Sequence, residues 1–296
     1  MAQCASGVIS DVCRSNVEVS STRPVLPFPL IVVGIRMLSW IKLGASFGMV
    51  CAMALSGWAQ TVTNEYYYLL EYQGIEPARM GELDSYLEKG LIPALGRQGI
   101  QGVGALGRAQ PLEDGSTSLF LLIPLANPSH LPAVLSELGN DDRFVEAALP
   151  YLETDHKRPV FTRIRSELLV AFDCFPKLKV PAQTAAQRDR LFELRVYESP
   201  TELFGYRKVE MFNSGEVPIF LDCGIQPVFM GQALVGDKLP NLTYMTVYDN
   251  AAQRDECWKK FQKHPDWQVL KGVEKYQGTV SKIHKIDLLP RPYSQL

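Results

Sequence analysis

The chain carries one pattern twice. An apolar strand over 242–248 is followed by Asn250, a helical stripe of Cys257, Trp258 and Phe261, and a break that ends at Trp267. An apolar strand over 119–125 is followed by Asn127, a stripe of Val134, Leu135 and Leu138, and a break that ends at Phe144. Asn250 follows Asn127, and Trp267 follows Phe144, at one spacing of 123 residues. A repeat of that length is a duplicated domain and not a solenoid. Two units of roughly 150 residues each also suit a chain of 296.

Each unit reads as strand, helix, strand, strand, helix, strand. In the C-terminal unit Phe192, Leu194 and Val196 alternate with Glu193, Arg195 and Tyr197, the period of two that marks a strand. Ser199-Pro200-Thr201-Glu202 predicts a capping box. Leu203, Tyr206, Val209 and Met211 or Phe212 predict the buried stripe of the helix that follows. Strands are expected over 225–235, 242–248 and 280–288, the last with Ile283 in the buried set. Asn250 caps the second helix and His264-Pro265 ends it, with a cationic His264 favoured at that helix end. In the first unit strands are expected over 66–72, 102–109, 119–125 and 163–172. Met80, Leu83, Leu87, Leu91 and Leu95 stripe one helix, and Asn127-Pro128 starts the other.

This order is the ferredoxin-like split unit. Two such units in tandem can press their bare sheet faces together. The expected fold is therefore α+β: two tandem ferredoxin-like βαββαβ domains, over 61–180 and 188–292, forming a pseudo-dimeric α+β barrel in one chain.

The N-terminus reads differently. Residues 1–36 are Ser- and Val-rich without a period and read as a non-native or disordered extension, with translation starting at Met37. Lys42, the apolar run 43–57 and the small residues of Gly57-Trp58-Ala59 predict a secretory signal peptide over 37–59. That makes the protein secreted or periplasmic. The alternative is a membrane anchor through an uncleaved segment. Cleavage would leave Cys174, Cys223 and Cys257, read as small buried side chains, although one pair could form in an oxidising compartment.

The strand 192–197, the strand Tyr244-Met245-Thr246-Val247-Tyr248, the helix Trp258-Lys259-Lys260-Phe261 and His264-Pro265-Asp266-Trp267 together resemble a NIPSNAP domain over roughly 190–290. The first unit resembles a diverged copy, with Tyr68 where Glu193 stands, Leu70 where Arg195 stands and Phe144 where Trp267 stands. The resemblance implies the dimeric α+β barrel fold and no settled activity.

A net charge of −2 excludes the basic field that a nucleic-acid partner needs. Gly102 to Gly107 matches the dinucleotide fingerprint, but a Gly turn and no helix follows, so a strand that allows close approach is the better reading. The four His lack metal-ligand spacing, and neither metal nor cofactor is expected. His284 would be the axial-ligand candidate only if the barrel held haem. Glu193, Arg195 and Tyr197 are expected to face the barrel interior opposite an aromatic wall of Tyr66, Tyr68 and Tyr72. The ligand-binding set is thus Glu193, Arg195, Tyr197, Tyr68 and His284, for a small organic ligand. Glu193 and Arg195 could equally be a structural ion pair. A cofactor-free monooxygenase or isomerase with Arg195 as charge stabiliser and Tyr197 as acid is one alternative. A scaffold whose outer faces bind a partner or a second copy is another.

Overall fold

In a computed structural model, residues 63–182 and 190–296 are described. The predicted extension and signal peptide, residues 1–59, lie outside them.

Eight strands close into one antiparallel barrel. They are β1 (Tyr66–Ile75), β2 (Gly104–Arg108), β3 (Thr117–Leu125), β4 (Arg163–Ala171), β5 (Leu191–Glu198), β6 (Gln226–Val235), β7 (Asn241–Tyr248) and β8 (Lys282–Pro290). Around the barrel the order is β1-β3-β2-β8-β5-β7-β6-β4. Each unit thus forms a sheet of four strands, and two seams join the sheets: β2 with β8, and β4 with β6. Closure leaves no free edge, so every inner strand is paired on both sides. At the second seam Gly231 lies opposite Ala171, and a Cβ there would come within 2.9 Å of the Leu169 Cβ.

The duplication is visible in the register. Tyr68 pairs with Ile123 and Glu193 pairs with Thr246. Ile123 and Thr246 are 123 residues apart, so Tyr68 and Glu193 occupy equivalent positions, as the resemblance implied. The helix caps obey the same spacing. Asn127 Oδ1 accepts from the Ser129 amide ahead of α3 (His130–Leu138), and Asp141 Oδ1 accepts from the Phe144 amide at the start of α4 (Asp142–Leu152). Asn250 Oδ1 accepts from the Gln253 amide at the start of α7 (Ala251–Lys263), and His264 Nδ1 accepts from the Asp266 amide at the start of α8 (Pro265–Lys271). His264 thus stands at the end of α7, as its position suggested, and also caps α8.

Three layers of core follow. Helices α1 (Met80–Ser85) and α2 (Ile92–Arg97) cover the first sheet together with α3 and α4, and bury Leu83, Leu87, Leu95, Phe144 and Ala148. In the second unit α5 (Glu202–Met211), α6 (Val217–Asp222), α7 and α8 cover Tyr197, Tyr244 and Tyr248 with Phe212, Phe220 and Phe261. Between the sheets the barrel holds Tyr67, Leu69, Leu122, Phe192, Leu194, Phe229 and Met245.

Here the expected facing is reversed. Phe192, Leu194 and Val196 point into the barrel, while Glu193, Arg195 and Tyr197 point outward under the helices. Tyr68 likewise packs on the outer, helix-covered face, and Tyr67 points inward. Both faces of β5 are buried, so the alternation of period two separates the faces without saying which one looks inward. Other local expectations also shift. Thr201, without a side-chain cap bond, stands before α5, and Ser199 Oγ has no partner, so the capping box does not form. Leu203 and Tyr206 are 55% and 61% exposed, and Lys208 is buried in their place. Ile283 is 44% exposed, while Leu288 fills the barrel. No described helix is long and apolar enough to cross a membrane.

Candidate functional site

One end of the barrel is filled and the other is open. Tyr67 and Phe229, with ring centroids 5.1 Å apart, plug the filled end with Phe192, Val247 and Leu296. Leu296 reaches there by lying against Gly104, where a Cβ would come within 2.4 Å of its Cδ1. This is the close approach expected of the Gly-rich strand. No helix follows that strand; β3 does.

At the open end a cavity of about 390 Å³ remains between the sheets. Leu69, Phe120, Leu194, Val196 and Ile286 form its apolar floor. The polar wall comes almost wholly from the first unit: Glu71, Gln73, Arg108, Ser118, Arg165 and Glu167. From the second unit come His284 and the hairpin residues Asp237 and Lys238. One polar wall and one apolar wall are present, as an organic ligand pocket needs. The polar wall belongs to the diverged unit and not, as expected, to the strand with Glu193.

Most charges on this wall neutralise one another. Glu71 sits across from Arg165 in the β1–β4 ladder and accepts from Gln73 Nε2 at 2.8 Å. Arg165 pairs with Asp237, and Lys238 Nζ lies 3.2 Å from the same carboxylate. His284 Nε2 meets Glu198 Oε1 at 2.5 Å, and Ser116 Oγ donates to Asp114 at 2.6 Å. The hairpin reaches over the cavity because Gly236 (φ +154°) leaves room that a Cβ would take from the Glu167 Cγ, 2.7 Å away. Lys238 follows in the left-handed region, with φ 56°, a strained position for a side chain of this length.

Three buried polar atoms on the wall have no partner: Arg108 Nε, Ser118 Oγ and Glu167 Oε2. Orphaned groups of this kind cost stability unless something binds them. Burial holds the Glu167 carboxyl above the usual carboxylate range, although Lys238, Arg165 and a hydrogen bond with Thr243 pull the other way. Burial, and Arg165 beside it, lower the Lys238 ammonium. Arg108 did not stand out in the sequence. Its signal was alternation: it shares a strand face with Leu106, which the barrel core contains.

The predicted ligand set divides between two places. His284 lines the cavity. Glu193 and Arg195 border a separate outer cleft with Arg254, Trp258, Lys285 and Asp287. There Arg195 donates from Nε to Glu193 Oε1 at 2.5 Å and from Nη1 to the Tyr197 hydroxyl at 3.3 Å. Its guanidinium lies 3.5 Å over the Trp258 ring, and Tyr197 and Tyr244 share a hydrogen bond of 2.8 Å. Arg195 Nε, Nη1 and the guanidinium face are thus engaged by protein. Beneath it Lys208 donates to Glu216 at 2.7 Å, both buried. Tyr68 joins neither place. Among the described residues no group of three or more His, Cys, Asp or Glu could hold a metal ion, and Cys174, Cys223 and Cys257 are free thiols.

Comparison with known proteins agrees with this architecture. Residues 192–295, in the second unit, match the NIPSNAP family model. No curated protein matches the chain. A candidate monooxygenase from Lactobacillus acidophilus NCFM superposes with a TM-score of 0.50 at 13% identity, over 77% of this chain and 94% of that one. A second candidate monooxygenase, from Fusobacterium nucleatum subsp. nucleatum, gives 0.52 at 8% identity, over 77% and 93%. An uncharacterised NIPSNAP-like domain protein from Burkholderia xenovorans covers 35% of this chain and 87% of its own, at 15% identity and a TM-score of 0.32. What the chain shares with the two candidate monooxygenases, at these identities, is the fold.

Proposed function

We propose that this protein binds a small organic molecule in the open end of its barrel. The observation that carries the reading is the set of unpartnered atoms, Arg108 Nε, Ser118 Oγ and Glu167 Oε2, above an apolar floor. A cavity of this size falls within the range of ordinary ligand sites. Native mass spectrometry of protein purified from its source tests it. A bound mass should be present and should be lost when Leu194→Trp fills the floor. Absence of a bound mass under gentle ionisation, or a bound mass retained unchanged in the filled variant, would overturn the reading. The same reading takes residues 37–59 as a cleaved signal, supported by their apolar run and small residues. N-terminal sequencing of the mature protein tests that.

A second reading, a cofactor-free oxygenase or isomerase in the same cavity, is favoured by one observation. Glu167 is a carboxyl raised by burial inside a cavity, the condition that suits a proton acceptor or donor near neutral pH. The neighbours named as candidate monooxygenases share the fold, and fold does not fix chemistry. Conversion of the bound molecule on exposure to oxygen, abolished in Glu167→Gln, would decide for it.

A further inference from the structure

We infer that the ligand is a monocarboxylic acid with an apolar body and a hydrogen-bond donor at its far end; this rests on the barrel being a binding site. The charges on the cavity wall lead there. Asp237, Glu71 and Glu198 already have partners in Arg165 and Lys238, Gln73, and His284 respectively. Arg108 has none, and its Nε is out of reach of water. A guanidinium in the cavity wall with its Nε covered and unpaired calls for an anion, and a carboxylate fits its planar donor fork.

Ser118 makes the same demand from beside it. Gly107 pairs with Leu119 across β2 and β3, so Arg108 and Ser118, one step further, are neighbours on the inward face. Cross-strand neighbours stand about 5 Å apart at Cβ. Ser118 is 1% exposed and its hydroxyl is unpartnered. The two donors can converge on one carboxylate.

Glu167 fixes the other end. It stands on β4, three strands round the barrel from β2 by way of β3 and β1, with neighbouring strands about 4.8 Å apart. Its free Oε2 accepts a hydroxyl or an amine. When ionised it repels a carboxylate, so the acid end is directed to Arg108 by exclusion as well as attraction. Between the two ends lie Leu69, Phe120, Leu194, Val196 and Ile286.

Calorimetric titration of the full chain with 8-hydroxyoctanoate, 8-hydroxyoctanamide and octanoate tests the class. The hydroxy acid should bind at least tenfold tighter than its amide and several-fold tighter than octanoate. In Arg108→Gln the acid and the amide should bind equally. Ser118→Ala, a smaller change that keeps the floor intact, should weaken the acid several-fold and the amide less. Equal binding of acid and amide to the wild-type protein would overturn the assigned class while leaving the cavity as a site. Binding of none of the three, with no mass retained in native spectrometry, would overturn the class and the site together.

Discussion

Arg195 and Glu193 neutralise each other across 2.5 Å on the outer face of β5, under the helices and away from the barrel cavity. Both are nearly excluded from solvent, at 6% and 3% exposure. Removing one partner of a buried pair strands the other, at a cost of about 3–5 kcal/mol. Arg195→Ala should therefore lose stability of that order in urea unfolding, and a molecule held in the barrel should be retained by the folded fraction. The double replacement Glu193→Leu with Arg195→Met should recover most of the loss. Unchanged unfolding with loss of a bound mass would instead make Arg195 a ligand contact.

Glu167 predicts a pH dependence. Burial raises its folded-state pKa above the ordinary 4.5. Between the ordinary and the raised value the folded protein therefore holds more protons than the unfolded chain, and stability falls as pH rises through that window. Its favourable contribution is fully present below pH 4.5 and is gone above the raised value. Glu167→Gln removes this dependence. The melting temperature of the variant, relative to wild type, should rise as pH increases from about 4.5 through the raised value. A difference that stays flat across the series would mean that Glu167 is ordinarily solvated.

Gly231 predicts where the two sheets can be separated. A side chain there would press on Leu169 Cβ at 2.9 Å and on the Val170 carbonyl at 3.2 Å, both across the β4–β6 seam. Overpacking of this kind costs about 1–3 kcal/mol. Gly231→Val should lower the unfolding midpoint accordingly. Gly81→Ala, in α1 with nothing within 4 Å of the new Cβ, should be neutral or slightly stabilising, since alanine favours helix by about 1 kcal/mol.

Much of this fold was legible in the sequence for one reason. Strand alternation, the helix caps at Asn127 and Asn250 and the constant spacing all describe local conformation, which nearby residues determine. The site was less legible because it depends on which of two buried faces looks inward. Phe192 and Glu193 declare different faces, yet nothing local says that Phe192 takes the barrel. Helix α5 failed similarly. Lys208 is buried because Glu216 meets it at 2.7 Å, a partner in a different helical segment. The apolar stripe through Leu203 and Tyr206 therefore pointed the wrong way. Arg108 was passed over because its meaning is the lack of a partner, which only three dimensions reveal.

The three described thiols predict low reactivity. Burial pushes the Cys174 thiol up to about 11 and raises Cys223 and Cys257 as well. Only the thiolate reacts with alkylating agents, and at pH 8 a thiol near 11 is ionised in roughly one molecule in a thousand. Iodoacetamide applied to the folded protein should leave the peptides containing Cys174, Cys223 and Cys257 unmodified over minutes. The same treatment in denaturant should label all three. Rapid labelling of Cys174 in the folded state would show that its surroundings open to water.

Two side-chain caps, one in each unit, predict matched losses. Asn250 Oδ1 accepts from the Gln253 amide at 3.0 Å and Asp141 Oδ1 from the Phe144 amide at 3.1 Å. Each satisfies one amide that the first turn leaves without a helical acceptor. Asn250→Ala and Asp141→Ala should each cost about 1 kcal/mol. Asp141 has a second role, since Arg97 on α2 donates to its Oδ2 from Nε at 2.8 Å. Asp141→Asn keeps the cap and loses the charge, whereas Asp141→Ala loses both. The loss in Asp141→Asn, measured by urea unfolding, should shrink as salt is raised and screens the Arg97 charge, while the gap between Asp141→Asn and Asp141→Ala, which is the cap, should stay constant. A salt-insensitive loss in Asp141→Ala that equals the loss in Asn250→Ala would assign the whole effect to capping, and so show that the two units start these helices by the same device.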